Sequence, residues 1–369
     1  MAVNFAQWGN DLYLGRRSYD IVGKRKVWFA VTGILILLSG LVLGFKGLEP
    51  GIEFRGGSEF TVSSPADTSQ QTAIDTVTAI APTEEVRVST VGGSSLRIQT
   101  SQLTNEQVEE VRLALAAAYK VEPNAVASAF IGPTWGQDVS SKAIRGVVVF
   151  LALVSVVMSL YFRTWRMAVA AVIALLCDLA ITVGVYAAVG FEVTPATVIG
   201  FMTILAYSIY DTVVVFDKVR ENTRGITDQS RSTYGEMANL AVNQTLVRSI
   251  NTSVVALLPV GAILFVGAFL LGAGTLRDIA LSLFVGMTVG AFSSIFLATP
   301  LEVFFQERGK VIKEHTDRVL EARRKLVEES GLEPDAALIA AAGAGVGARR
   351  QLQPGHHLGH AAQPKRKKR

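Results

Sequence analysis

Hydrophobic positions along this chain follow two regimes. In six places apolar residues run on almost without interruption, over 28–45, 144–162, 167–191, 196–216, 253–271 and 279–301. An α-helix of about 20 residues crosses the roughly 30 Å of hydrocarbon in a bilayer, so each run is expected to be a transmembrane helix. Between the first two runs, over 46–141, the pattern changes to short alternating or amphipathic stretches. It predicts a strand over 58–63, a helix over 68–80, and strands over 86–91 and 96–100 joined by Gly92-Gly93. A helix over 104–119 follows, opened by Thr104 with Gln107 three residues on, and then a strand over 125–131. The order βαββαβ is that of a ferredoxin-like domain.

Composition agrees with the first regime. Half of the residues are hydrophobic and 18% are charged, a balance that a water-soluble globule has too little polar surface to cover. The formal net charge of +4 does not point to nucleic acid, because the basic residues flank the apolar runs instead of forming one face. Arg16, Arg17, Lys24, Arg25 and Lys26 precede the first run, and Arg163 and Arg166 separate the second from the third. Lys218, Arg220, Arg224 and Arg231 follow the fourth, and Arg308, Lys310 and Lys313 follow the sixth. With both termini in the cytoplasm, every cluster lies inside a multi-pass cell-membrane protein, as the positive-inside rule requires.

The expected organisation is therefore a cytoplasmic N-terminus over 1–27, an uncleaved first anchor, an extracytoplasmic domain over 46–141, and five further helices over 142–305. A cytoplasmic segment over 218–247 interrupts those helices, and its part 234–247 reads as an amphipathic helix at the interface or running into the fifth span. The charged tail over 306–369 is expected to be largely disordered, from about Gly331 onward, with a basic terminus suited to anionic membrane lipid or to plain solvation. His356, His357 and His360 make only a loose metal-like tract, and Cys177 is expected to be a small packed apolar residue.

Ionisable groups inside apolar runs need a reason, since one near the bilayer centre costs about 2.5–3.5 kcal/mol even on lenient scales. Asp211 stands in the fourth run and Asp178 in the third. At helical spacing Thr203, Tyr207 and Asp211 form a stripe, with Thr212 beside it, expected to face the bundle interior. Gln244, Arg248 and Thr252 repeat at the start of the fifth run, which makes Arg248 the expected partner of Asp211. Low dielectric favours a neutral carboxyl and a nearby guanidinium favours a charged one, so relative motion of two such helices switches proton affinity. The alternative is a static buried ion pair. Asp217 and Glu221, at a helix end, read as ordinary solvated carboxylates. The sequence carries no phosphate-binding loop, no catalytic triad pattern and no metal-ligand spacing, and Asp178 lacks the glycine-flanked setting of an intramembrane aspartyl protease. No enzymatic activity and no bound cofactor are expected.

Three segments carry a resemblance. Gly51-Ile52-Glu53-Phe54-Arg55-Gly56-Gly57 resembles the G-I-D-F-x-G-G signature of the SecD/SecF family, with Glu53 where the signature has Asp. The runs 211–222 and 243–253 resemble the SecF branch of that family at its fourth span and at its entry to the fifth, although Ala206 and Tyr210 replace the commoner Gly and Asn. The resemblance covers roughly 20–306. It implies an RND-type half-transporter that pairs with SecD, associates with the SecYEG channel, and uses a gradient of H⁺, or of Na⁺, to complete translocation of a preprotein. It places proton coupling on Asp211 and Arg248, to which Asp178 is added from its position in the third run. The glycines 51, 56 and 57 are expected to turn the backbone where helix becomes domain. A passive scaffold of the channel and a small-molecule exporter remain the rival readings, the latter disfavoured by so small an outer domain.

Overall fold

The computed structural model describes residues 5–330 apart from 64, 66, 92–94, 163 and 271–273. The expected Gly92-Gly93 turn, Arg163, and the tail from 331 onward with its three histidines lie outside the described residues. The chain divides into two compact units, Met1–Arg224 with Gly235–Arg308, and Gly225–Tyr234 with Gly309–Arg369.

Six helices among the described residues are long and apolar enough to cross a membrane: Arg25–Phe45, Thr134–Phe162, Trp165–Val189, Pro195–Asp228, Tyr234–Gly267 and Arg277–Glu307. We label the elements α1 (Phe5–Tyr13), α2 (Arg25–Phe45), β1 (Glu49–Pro50), α3 (Ile52–Arg55), β2 (Gly57–Ser63), α4 (Gln70–Ile80), β3 (Val86–Val91), β4 (Ser95–Thr100) and α5 (Asn105–Ala118). Next come β5 (Val126–Ile131), α6 (Pro133–Phe162), α7 (Trp165–Val189), β6 (Glu192–Val193), α8 (Pro195–Asn222), α9 (Tyr234–Ala262), α10 (Gly274–Ser293), α11 (Thr299–Glu307) and α12 (Lys310–Ser330). Spans one to five are α2, α6, α7, α8 and α9. Span six runs from α10 through a π-helical turn at Ser294–Ala298 into α11.

Two helices differ from the hydrophobic runs. α6 begins at Pro133, well before its apolar stretch, because the polar first turns project beyond the apolar band and pack on α3. α9 begins at Tyr234, so the expected amphipathic segment is the first part of span five itself. Spans three, four and six are the most buried, and small residues let them approach closely. Gly286 leaves no room for a Cβ against Ile204, and Gly290 meets Ser208, so α8 and α10 pack nearly backbone to backbone.

The outer domain has the element order β–α–β–β–α–β, with sheet order β3-β4-β2-β5 and every neighbour antiparallel. Alternation decides its two faces. Phe60, Val62, Leu96, Ile98 and Val126 turn toward α4 and α5, where Ala73, Val77, Val111 and Leu115 complete a core. The intervening residues Glu59, Arg97, Gln99 and Arg87 share the other face. Helix α5 starts with the capping box expected of Thr104 and Gln107, each side chain bonding the other residue's backbone N–H.

The second unit holds the 3₁₀ turn at Ile226–Asp228 and the charged helix α12, in which buried His315 bonds the Gln229 carbonyl through Nε2 at 2.8 Å. The tail therefore starts with an ordered helix of 21 residues, packed through residues such as Val319, while the disorder expected after about Gly331 lies outside the described residues.

Candidate functional site

Asp211 sits on span four with 3% of its surface exposed. Its partners are hydroxyls: Ser249 of span five donates to Oδ1 at 2.9 Å, and Ser294 of span six donates to Oδ2 at 2.6 Å. One turn away, Ser208 donates to Asp178 Oδ2 of span three at 2.6 Å. Asp178 is 1% exposed and its Oδ1 has no hydrogen-bond partner; the buried Ser293 hydroxyl also has none, and Gly290, one turn before it, faces the same carboxyl. Thr182 bonds back to the Asp178 carbonyl at 2.7 Å and so leaves the carboxyl alone. Four serines thus hold or flank two buried carboxyls. Among the described residues no cation lies within ion-pair distance of either one.

That arrangement corrects the pairing of Asp211 with Arg248. Arg248 is exposed, and its guanidinium reaches the Tyr210 hydroxyl at 3.5 Å. One residue along a helix is a 100° rotation, and here it puts Ser249 on the buried face and Arg248 on the exposed one. The stripe on span four is corrected in the same way. The buried face of α8 is Gly200, Ile204, Ser208, Asp211, Thr212 and Val215, whereas Thr203 is exposed and bonds the Ile199 carbonyl. Tyr207 lies between, its hydroxyl buried and without a hydrogen-bond partner. Both i−3 and i−4 neighbours flank a helical residue, and the serines of spans five and six decide which one shares the polar face.

The polar start of span five has another task. Asn243 accepts from the Tyr19 N–H at 2.7 Å and donates to the Tyr19 carbonyl at 2.9 Å, and Asn239 accepts from the Ile21 and Val22 N–H groups. Gln244 donates to the Tyr13 carbonyl at 3.1 Å and accepts from Asn222 at 3.0 Å. These side chains satisfy the backbone of the segment between α1 and span one. Thr252 bonds the Arg248 carbonyl on its own helix at 2.8 Å and joins no carboxyl.

A second polar cluster lies where the outer domain meets the bundle. β1 and β6 pair in parallel, Glu49 with Glu192 and Pro50 with Val193. Arg97 lies 3.6 Å from Glu59 and 3.6 Å from Glu192, while Gln99 donates to both carboxylates at 3.0 and 2.7 Å. Arg87 bonds Glu49 at 3.0 Å. Burial pushes the Glu192 carboxyl above its ordinary range, opposed by Gln99 and Arg97. Glu53 is raised by burial too, and its Oε2 has no hydrogen-bond partner. The signature segment is thus not a plain turn: residues 52–55 form the short helix α3, Phe54 included, and its carbonyl backs onto Gly136. Gly51 keeps a negative φ of −64°, while Gly56 and Gly57 take φ of 79° and 145°, and a Cβ on Gly57 would collide with the Thr100 carbonyl. A cavity of about 570 Å³ opens beside this junction, lined by Arg87, Gln99, Tyr186, Glu192, Arg277 and Asp278 among others.

Comparison with known proteins places these features in a family. The model described as "Protein export membrane protein SecD/SecF, C-terminal" matches residues 111–308, and that described as "SecD/SecF GG Motif" matches 41–64. The protein translocase subunit SecF of Streptomyces coelicolor is 47% identical over 317 residues, which is 85% of this chain and 84% of that protein. The SecF subunit of Mycobacterium tuberculosis is 42% identical over 323 residues, covering 85% of this chain and 72% of that one. The crystal structure of SecDF from Thermus thermophilus, described there as translocon-associated, superposes with a TM-score of 0.68 at 31% identity. The match takes in 79% of this chain but only 39% of that longer polypeptide.

Proposed function

The chain belongs to the SecD/SecF family of protein-export membrane proteins, and from that premise we propose that it is a proton-driven half-transporter that completes preprotein translocation through the Sec channel. The observation that carries the reading is Asp211: a carboxyl sealed within three spans, held by two hydroxyls and by no cation among the described residues. A carboxyl shielded from lipid and held by hydroxyls, with no fixed ion pair to break, suits a group that takes up and releases an ion in turn. Asp178 is a second group of the same kind. Each proton crossing the membrane potential is worth about 2.3 kcal/mol per 100 mV, so a few suffice to bias a conformational equilibrium.

The outer domain, with its β–α–β–β–α–β order, we read as ferredoxin-like and extracytoplasmic, which sets both termini and the basic clusters on the cytoplasmic side. Six spans make half of an RND-type unit. SecD is the expected other half, and the size of the Thermus thermophilus SecDF polypeptide supports this. The exposed polar face formed by Thr203, Tyr210, Arg248 and Asn251 is the surface we assign to that contact, because lipid solvates such groups poorly. SecYEG and the preprotein complete the assembly.

Asp211→Asn is the test. Membrane vesicles carrying the variant with SecD and SecYEG are expected to export at the gradient-free rate whether or not a gradient is imposed. A passive scaffold would instead keep the full gradient-driven rate, and that outcome would remove the proposal.

A further inference from the structure

The two buried carboxyls are served by two adjacent residues of span six. Ser294 bonds Asp211 Oδ2, while the buried hydroxyl of Ser293, one residue before it, has no hydrogen-bond partner, nor has Oδ1 of Asp178, whose carboxyl faces Gly290 one turn before Ser293 on the same helix. Such orphaned polar atoms are uncommon in a buried site and call for an explanation. The helix changes type at this point: α10 ends at Ser293, and Ser294–Ala298 form a π-helical turn. The turn has a local cause. Pro300 has no N–H for the Phe296 carbonyl, so the α pattern has already lost a bond there, and the Thr299 hydroxyl approaches the Ser294 carbonyl at 3.5 Å.

A π turn absorbs one extra residue. Moving it toward the N-terminus past Ser294 therefore sets each residue that it passes into the place its predecessor held. Ser294 would arrive where Ser293 now stands, and its hydroxyl would leave Asp211 for Asp178. The two carboxyls make this exchange short: Asp211 and the Ser208 that anchors Asp178 are three residues apart on α8, a rise of about 4.5 Å.

We propose that Ser293 and Ser294 are a positioning pair for the two intramembrane carboxyls, and that migration of the π turn transfers a hydroxyl donor from one to the other. A donor stabilises the negative charge on the carboxyl it reaches, so the transfer changes which carboxyl better tolerates the loss of its proton. The other titratable side chains near the pair are Tyr207, one turn before Asp211, and Cys177, next to Asp178; Ser249 and Ser208 supply the remaining donors. This inference rests on the proton-driven reading above and adds the element that moves.

The experiment uses the full chain with SecD and SecYEG in vesicles, reading export with and without an imposed gradient, and membrane accumulation of each variant. Ser294→Ala and Ser294→Cys, the latter of similar shape but a weak donor, are each expected to lower the gradient-driven increment about tenfold. Ser294→Thr restores the hydroxyl and is expected to recover most of it. Ser293→Ala is expected to behave as Ser294→Ala does, and Pro300→Ala, which removes the cause of the π turn, to lower the increment in a chain that still accumulates. Wild-type increments in Ser293→Ala or Pro300→Ala, or equal activity of the Cys and Thr variants, overturn the pairing even where Asp211→Asn abolishes coupling. Full coupling in Asp211→Asn would instead remove the reading on which the pair depends.

Discussion

The two carboxylate clusters of this molecule sit in opposite electrostatic surroundings. In the bundle, Asp178 and Asp211 meet only hydroxyls, contributed by helices that pack through small residues. At the outer junction, Glu59 and Glu192 share Arg97 and Gln99, and Glu49 holds Arg87. A carboxylate with a guanidinium beside it is favoured in its charged form, and protonating it gives up an ion pair. A buried carboxyl with only hydroxyls can change its charge without breaking an ion pair. The first arrangement fastens a domain, and the second suits a group that titrates during a cycle.

Giving Asp211 the cation it lacks should erase that contrast. Ser249→Lys would place an ammonium where a hydroxyl now donates to Oδ1, and the nearby positive charge would hold the carboxylate ionised. Gradient-driven export is expected to fall to the gradient-free level while the chain still accumulates, since an ion pair satisfies both groups. Coupling that survives this substitution would mean that the absence of a cation is incidental.

The reverse change, stripping the junction of its cation, should have a smaller and more local effect. Arg97→Ala leaves Glu59 and Glu192 with Gln99 alone and is expected to cost about 2 kcal/mol, between the loss of an exposed ion pair and that of a fully buried one. Amide exchange should accelerate in β4 and at Glu192–Val193, whereas the core around Phe60 and Leu115 keeps its protection. Equal acceleration throughout the sheet would show that Arg97 supports the domain fold and not its attachment.

Glu192 gives the junction a pH dependence of definite sign. Burial raises its carboxyl above the ordinary value, so the closed junction binds a proton more readily than the open one. The stabilisation is complete below the ordinary carboxylate range and is lost as pH rises through the raised value. Protection of β6 should therefore decline from acid toward neutral pH, and Glu192→Gln, which keeps the amide contacts but cannot ionise, should flatten the decline. A slope unchanged in that variant would assign the titration to another group, Glu53 first, since burial raises it as well.

How much of this was legible before any coordinates depended on the range of the interaction. Six spans and the strands of the outer domain follow from periodicity, a local signal, and the Thr104 cap from two residues at fixed spacing. Asp211 and Asp178 are visible as charges where charge is costly. Their partners are not: Ser249 and Ser294 are ordinary residues in apolar runs, and serines in helices more often bond back to their own backbone, as Ser155 does to Leu151. Arg248 was the more conspicuous residue, and conspicuous charge misled. The π turn at 294–298 had one trace in the sequence, Pro300 within the sixth run, and the junction had one in Arg97 and Gln99 alternating with the apolar positions of β4.

Arg248 itself supplies the smallest effect and the sharpest use of the contrast, because it is a cation with no carboxylate within ion-pair distance among the described residues. In the purified chain, Arg248→Ala removes one long contact to the Tyr210 hydroxyl from an exposed position, and stability is expected to change by less than about 0.5 kcal/mol. In lipid an arginine facing hydrocarbon is expensive, and a second protein covering it would remove that cost. The same substitution should then lower co-purification of SecD severalfold in mild detergent, and Tyr210→Phe should lower it less. If SecD accompanies the Arg248→Ala chain as well as it does the unaltered one, this face of spans four and five does not carry the contact, and the arginine instead snorkels to the membrane surface.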